Sequence, residues 1–412
     1  MTYELDDKRY VGLYEEPAGS YAVDHSGTPA DFLAMPWKRD TLQVQFGAEE
    51  LDPNTSSMNL DDADELIHGP RSCTLSVGVT AHSHGLDLDG DVTAPTTSTW
   101  AMLRALQAIL GGSVATTNPG AQTQVQAGTT TTAVTVTATH GSRFEAGGVI
   151  GCEVVSGSGV LELREVLSVA GDVVSVKQAF TAAPVTGSAV RGGVTVYMTN
   201  RPLTTLQALV EGRHGTDGAS LRGLQGGLSL EAKPGELSTI TLSLAGAGWN
   251  RMASAATVPT YSFSIAGAEP IRITESTVGS TSASCVPFSE MTVEPNISYE
   301  PLRTACADNT IGAMIRQDAR PLVSGSFTVP YEDETWYDAW RASTQKALAL
   351  QIGNVPGASI LVTIPTVQIG VPQPVAASAG VAGVQVPWTS RRDQALSGTS
   401  ELLRSALRFH FC

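Results

Sequence analysis

The chain has 412 residues, enough for two or three hydrophobic cores, and its 42% hydrophobic and 16% charged composition, with 41 glycines, suits a β-rich protein with many turns. A net charge of -15 excludes the Lys and Arg clusters with which nucleic-acid binders neutralise phosphates, and no apolar run approaches the roughly 18 residues of a membrane-spanning helix. Cys73, Cys152, Cys285, Cys306 and Cys412 are scattered without a C-x-x-C pair, which argues against a disulfide framework or zinc site and for a reducing cytosol.

In chain order, residues 1–39 read as an N-terminal arm. Its start, MTYELDDKRY, lacks a basic region followed by an apolar core, so no secretory leader is expected. Tyr10, Tyr14, Tyr21, Phe32 and Trp37 are spread among Gly, Pro and Asp, which fits either a frayed terminus or an arm that docks on a neighbouring subunit. Leu42 to Phe46 reads as a strand leading into an acidic loop of roughly 25 residues, longer than most connections. Ser72 to Thr80 is the next strand. Thr97 or Ser98 then caps a helix whose Trp100, Leu103, Leu106 and Leu110 make one stripe, and Gly111 and Gly112 end it. Thr116 to Met198 changes texture, with short alternating runs and regular turns, and reads as an inserted small β-barrel or sandwich. Leu203 to Val210 is short and apolar. Leu224 to Glu231 and Leu237 to Leu244 form a hairpin in which Leu228, Leu230, Ile240, Leu242 and Leu244 share a buried face. Ala253 to Ser284 contains one alternating run, Thr260 to Ile265.

The second half repeats the plan. Met291 to Val293 leads into another loop of roughly 25 residues, and Leu322 to Val329 is a strand. Asp333 caps a short helix that packs Trp336, Tyr337 and Trp340 on the sheet, and Lys346 to Ile352 and Ile360 to Ile369 are strands. Pro372 to Gly383 reads as a loop and Leu402 to Phe411 as a final strand. The repeated order predicts two tandem copies of one β-sandwich domain flanked by a helix, 40–115 with 199–252 and then 253–412, with 116–198 inserted in the first.

Chemistry is sparse. His82 and His84, with Asp87, Asp89 and Asp91, resemble the opening of a calcium loop, but the closing bidentate Glu is missing and no third ligand stands at metal spacing, so a solvated hairpin tip is expected and no metal. No G-x-S-x-G elbow, phosphate-binding loop or dinucleotide fingerprint occurs, and 6% aromatic residues make a poor sugar cleft. Neither an enzyme nor a cofactor is expected.

The run SGSFTV, the helix WYDAW, the strands LALQIG and IPTVQI, the hairpin GGLSLEAKPGELSTITLSLAG and the PAGSY segment of the arm resemble the tail tube proteins of long, non-contractile-tailed bacteriophages. The resemblance is clearest over Val286 to Ile369 and Leu224 to Gly246 and absent from the insertion. It implies a structural virion protein, assembled in the host cytoplasm, that stacks as rings into a DNA-conducting tube. A duplicated domain implies trimeric rings. Partners implied are a tape measure protein and passing DNA in the lumen, with tail terminator and distal tail proteins at the ends. Ser229, Glu231, Ser238, Thr239, Thr241 and Ser243 are then expected to face the lumen, as part of an acidic wall that repels DNA. Glu49, Glu50, Asp52, Asp61, Asp62, Asp64 and Glu65 in the first loop, and Arg303, Asp308, Arg316 and Asp318 in the second, are expected to contact the next ring. A distal tail or baseplate ring component, or a decoration protein, is the alternative.

Overall fold

Alternation of apolar and hydroxyl side chains makes most of this chain strand. The computed structural model describes residues 10–16, 32–35, 37–38, 41–51, 67–81, 101–115, 122–199, 204–211, 218–252, 271–297, 299–303, 311–316, 323–376, 382–391 and 401–412. In the strand Ile67–Thr80, Cys73, Leu75, Val77 and Val79 are buried, while Ser72, Thr74, Ser76 and Thr80 lie on the other face, as a period of two requires. The architecture is mainly β. Three helices appear among the described residues: α1 (Ala101–Leu110), α2 (Thr335–Arg341) and the single turn α3 (Glu401–Arg404).

One layer is an eight-strand antiparallel run in the order Gln43–Leu51, Ile67–Thr80, Thr239–Gly246, Gly218–Ala232, Glu290–Pro295, Val323–Pro330, Ala382–Ser390 and Gln373–Ala376. A second runs Gly111–Ala115, Val194–Met198, Arg408–Phe411, Ile360–Ile369, Gln345–Ile352, Ile271–Thr277 and Ser284–Val286. One apolar cluster joins them, with Leu242, Val293, Phe327 and Trp388 from the first layer and Val196, Val362, Ile364 and Phe409 from the second. Burial of such side chains stabilises by about 1.5–3 kcal/mol each. The strand Gly218–Ala232 serves two neighbours in turn: its start pairs with Leu206–Glu211 and Gly248–Met252, its end with Thr239–Gly246, and Gly223, at φ 62°, lies between.

Helix α1 buries eight of its ten residues, and Gly111, at φ 101°, turns the chain out of it. Ahead of α2, Asp333 accepts a 2.9 Å bond from the Thr335 amide, and bonding to Thr335 holds its carboxyl below the usual range. Trp336 sets its ring edge-on to Phe327 at 4.9 Å. Trp340 departs from expectation, being 37% exposed, and Trp100 lies outside the described residues.

Several other readings change. Tyr10–Glu15 of the arm is a strand on Leu206–Glu211, and Tyr14 stacks on Phe32, so this part of the arm belongs to its own chain. The two ends of the first long loop are ladder, because Gln43–Leu51 and Ile67–Thr80 stay paired as far as Leu51 and Ile67, and its residues 52–66 lie outside the described residues. In the second, Tyr299–Arg303 and Ile311–Arg316 form a two-stranded ribbon. Within the Pro372 to Gly383 stretch expected to be loop, Gln373–Ala376 is a strand and Ala382 and Gly383 begin another, Ala382–Ser390. The final strand shrinks to Arg408–Phe411, since Ser405 turns the chain by bonding the Leu407 carbonyl at 2.7 Å. The run Thr260 to Ile265 lies outside the described residues.

Between Ala115 and Val194 lies a six-strand sheet in the order Thr123–Gln124, Ala189–Arg191, Val149–Glu153, Leu161–Ala170, Val173–Val176 and Ala133–Thr135, with its own core of Val125, Val134, Ile150, Val166, Val174 and Val190. The chain enters and leaves it through first-half strands, yet it docks on second-half ones. Val149, Leu161 and Leu163 meet Ala349 and Leu361. Glu165 pairs with Arg408 at 2.6 Å and Lys177 at 2.9 Å, Glu162 reaches Arg272 at 3.4 Å, and the Gln351 amide bridges Leu161 and Leu163.

Candidate functional site

The eight-strand layer has one covered face and one open face, and hydroxyls and amides dominate the open face. Gln43 and Gln45, Thr74 and Ser76, Thr241 and Ser243, Ser229, Thr292, Ser324 and Ser326, and Gln385 and Thr389 stand in register across it. The opposite parity holds Leu228, Leu230, Ile240, Leu242 and Leu244, all buried, as the hairpin pattern predicted. Of the residues expected to line a lumen, Ser229, Glu231, Thr239, Thr241 and Ser243 lie on the open face. Ser238 does not: it falls in step with Ile240 and is buried, so it is withdrawn from that set. The expected wall of carboxylates is also replaced by hydroxyls and amides. Carboxylates occur at Glu231, Glu290 and Glu294, and Lys233 is clamped between Glu231 (2.5 Å) and Glu290 (3.5 Å), the Glu231 bond holding its ammonium above the ordinary value.

Among the described residues, the layer ends in two open edges. The first edge strand is Gln43–Leu51, hydrogen-bonded only to Ile67–Thr80, and the second is Gln373–Ala376, bonded only to Ala382–Ser390. Unpaired backbone edges are templates for another chain.

The middle of the layer shows what such an edge can do. There the first half meets the second: Leu230 pairs with Val293, Glu231 with Thr292 and Ala232 with Met291. The two sides are built alike. From the open edge inward the first half runs Gln43–Leu51, Ile67–Thr80, Thr239–Gly246, Gly218–Ala232. From the junction outward the second runs Glu290–Pro295, Val323–Pro330, Ala382–Ser390, Gln373–Ala376. In each half a strand, a long hairpin, a second strand and a helix follow in sequence, and a later hairpin completes the sheet. The junction therefore joins the counterpart of the second edge to the counterpart of the first.

Of the residues assigned to stacking, Glu49 and Glu50 lie on the first edge strand, and Arg303 and Arg316 on the two-stranded ribbon. Asp52, Asp61, Asp62, Asp64, Glu65, Asp308 and Asp318 lie outside the described residues, as do His82, His84, Asp87, Asp89 and Asp91. No cluster of three metal-ligating side chains occurs among the described residues. The open edges themselves were missed in the sequence reading, because the second edge hides in a Pro- and Ala-rich stretch.

The family model for phage tail tube proteins matches residues 15–389. No curated protein matches the chain. Among solved structures, the cryo-EM structure of the anti-feeding prophage cap, a tube-terminating cap, is similar at 11% identity and a TM-score of 0.25, covering 39% of this chain and all of that one. The match over residues 15–389 places this chain in the phage tail tube protein family.

Proposed function

We propose that this chain is the major tube subunit of a long, non-contractile tail, that it carries two copies of the tube domain, and that three chains close each ring with pseudo-sixfold symmetry. The junction inside the chain carries this reading. It is a domain-to-domain seam formed in cis, and the two open edges offer the same seam in trans. Repeating it closes the sheet on itself, which removes the edges.

In that ring the hydroxyl and amide face forms the lumen, where the tape measure protein and then DNA pass. Each Lys or Arg that holds a phosphate would slow DNA, whereas the hydroxyls and amides hold none; Lys233 is already engaged by two carboxylates, and Lys38 lies against the Thr239 hydroxyl at 3.4 Å. The hairpin extending from Gln43–Leu51 and Ile67–Thr80 and the ribbon Tyr299–Arg303/Ile311–Arg316 reach the next ring. The inserted unit sits outside, since its chain leaves from the second layer. Terminator and distal tail proteins meet the tube at its ends, and assembly takes place in the host cytoplasm.

Negative-stain electron microscopy of the concentrated chain, with mass measurement, tests the reading. Striated hollow tubes dissociating into threefold mass are expected. A stable monomer overturns the reading, and a ring that never stacks transfers it to a distal tail component.

A further inference from the structure

We infer that the seam between chains is sealed on its covered side by Val44 and Phe46 of one copy, braced by its Trp249, against Pro374 and Pro372 of the next. The inference rests on the tube-subunit reading and names which side chains make its contact.

The first observation is a mismatch between position and burial. Phe46 stands opposite Cys73, which is 2% exposed, so its parity belongs to the covered face, yet 49% of Phe46 is exposed. Val44, of the same parity, is only half-buried. At the junction the counterpart of Val44 is Val293, fully buried with a strand beside it, and the counterpart of Phe46 is Pro295, also buried. What the first edge lacks is that strand. Phe46 is not a loose side chain, since its ring lies 4.7 Å from that of Trp249 at 47° and is held in place.

The second observation is a complementary hollow at the other edge. Between α2 and the second edge strand lies a groove of about 350 Å³ lined by Tyr331, Tyr337, Arg341, Pro374, Val375 and Val384. Tyr331 is half exposed, and Pro374, whose partner Val384 is buried, faces the covered side without cover.

Register follows from the junction. Glu231 shares a row with Thr239 and Thr80, and Val375 shares one with Gly383 and Pro330. Thr292 pairs with Ser326, four residues before Pro330, and Gln43 pairs with Ser76, four before Thr80. Superposing these rows sets Gln43 opposite Val375 and Val44 opposite Pro374, with Phe46 beside Pro372. Pro372 and Pro374 have no N–H to donate, so the seam's ladder is short of bonds and side-chain burial carries more of it.

The test compares tube formation, by light scattering and electron microscopy, for Phe46→Asp, Pro374→Asp, Phe46→Leu and Gln45→Asp, the last on the same strand but the open face. Phe46→Asp and Pro374→Asp are each expected to raise the concentration needed for assembly by at least about tenfold at unchanged protomer melting, while Phe46→Leu and Gln45→Asp assemble normally. If Phe46→Asp lowers the melting temperature, Pro374→Asp alone decides. Normal assembly of both aspartate variants overturns this seam and leaves the tube reading standing, and equal damage from Gln45→Asp also overturns it. A wild-type chain that forms no tubes removes the reading and the seam with it.

Discussion

At the scale of single residues, the layer depends on places where a side chain would not fit. Gly325, in Val323–Pro330, lies under the ring of Trp388: a Cβ there would come within 2.4 Å of the indole and 2.1 Å of the Thr292 carbonyl oxygen. Trp388 is itself 2% exposed and among the largest fully enclosed side chains, so it has nowhere to withdraw. Gly325→Ala is therefore expected to cost about 2 kcal/mol or more, read as a lower midpoint in chemical denaturation, because backbone on one side and a packed indole on the other must both shift. The same logic in miniature applies to Ser238. Its hydroxyl suggested an exposed position, but facing is set by parity and not by polarity.

At the scale of elements, Arg408–Phe411 has the largest consequence for its length. It pairs with Ile360–Ile369 on one side and Val194–Met198 on the other, and Arg408 reaches Glu165 of the inserted unit, so four residues tie both halves and the insertion together. His410 sits fully buried between the Thr195 and Thr363 hydroxyls, each at 2.9 Å, and burial, then the charges of Arg408 and Lys177, push its pKa well below the ordinary 6.5. The imidazole is thus neutral in the folded chain, and the unfolded chain takes up the proton more readily. Stability from this group is complete above about pH 6.5 and declines as pH falls below it. Thermal melting followed from pH 7.5 to 5 is expected to show that decline, and His410→Gln to flatten it. Short elements are also where sequence reading failed. Leu402 to Phe411 alternates throughout, yet Glu401–Arg404 coils because Ser405 satisfies the backbone locally, a choice that alternation does not encode. By contrast, the hairpin of Gly218–Ala232 and Thr239–Gly246 and the helix-bearing unit at Val323–Ile352 were legible, since each pairs a strong period with a turn or cap signal. The second edge strand was not, because Pro and Ala carry little β signal and only the pairing with Ala382–Ser390 makes it a strand.

At the scale of the whole molecule, the proposed ring makes a geometric prediction that a denaturing gel can check. In a chain with Cys285→Ser and Cys306→Ser, cysteines at Gln43→Cys and Val375→Cys fall opposite each other in the seam, within the Cα separation a disulfide accepts. Mild oxidation is expected to give a ladder ending at three times 42.9 kDa, whereas bands continuing past three copies would mean an open strand of subunits. The legible part of this assembly was its repetition, two long hairpins and two helices in the same order. What could not be read was pairing between strands far apart in the sequence, such as that of Glu231 with Thr292, which no local pattern records. The junction formed within each chain has a last consequence, which is arithmetical. In the ring proposed above, domains enter two at a time, already joined before any encounter, so closing a six-domain circle would be a meeting of three bodies and not six. Odd-numbered circles cannot form at all, and the nearest faulty ring is a full chain too small or too large, a difference in circumference that the neighbouring rings would refuse.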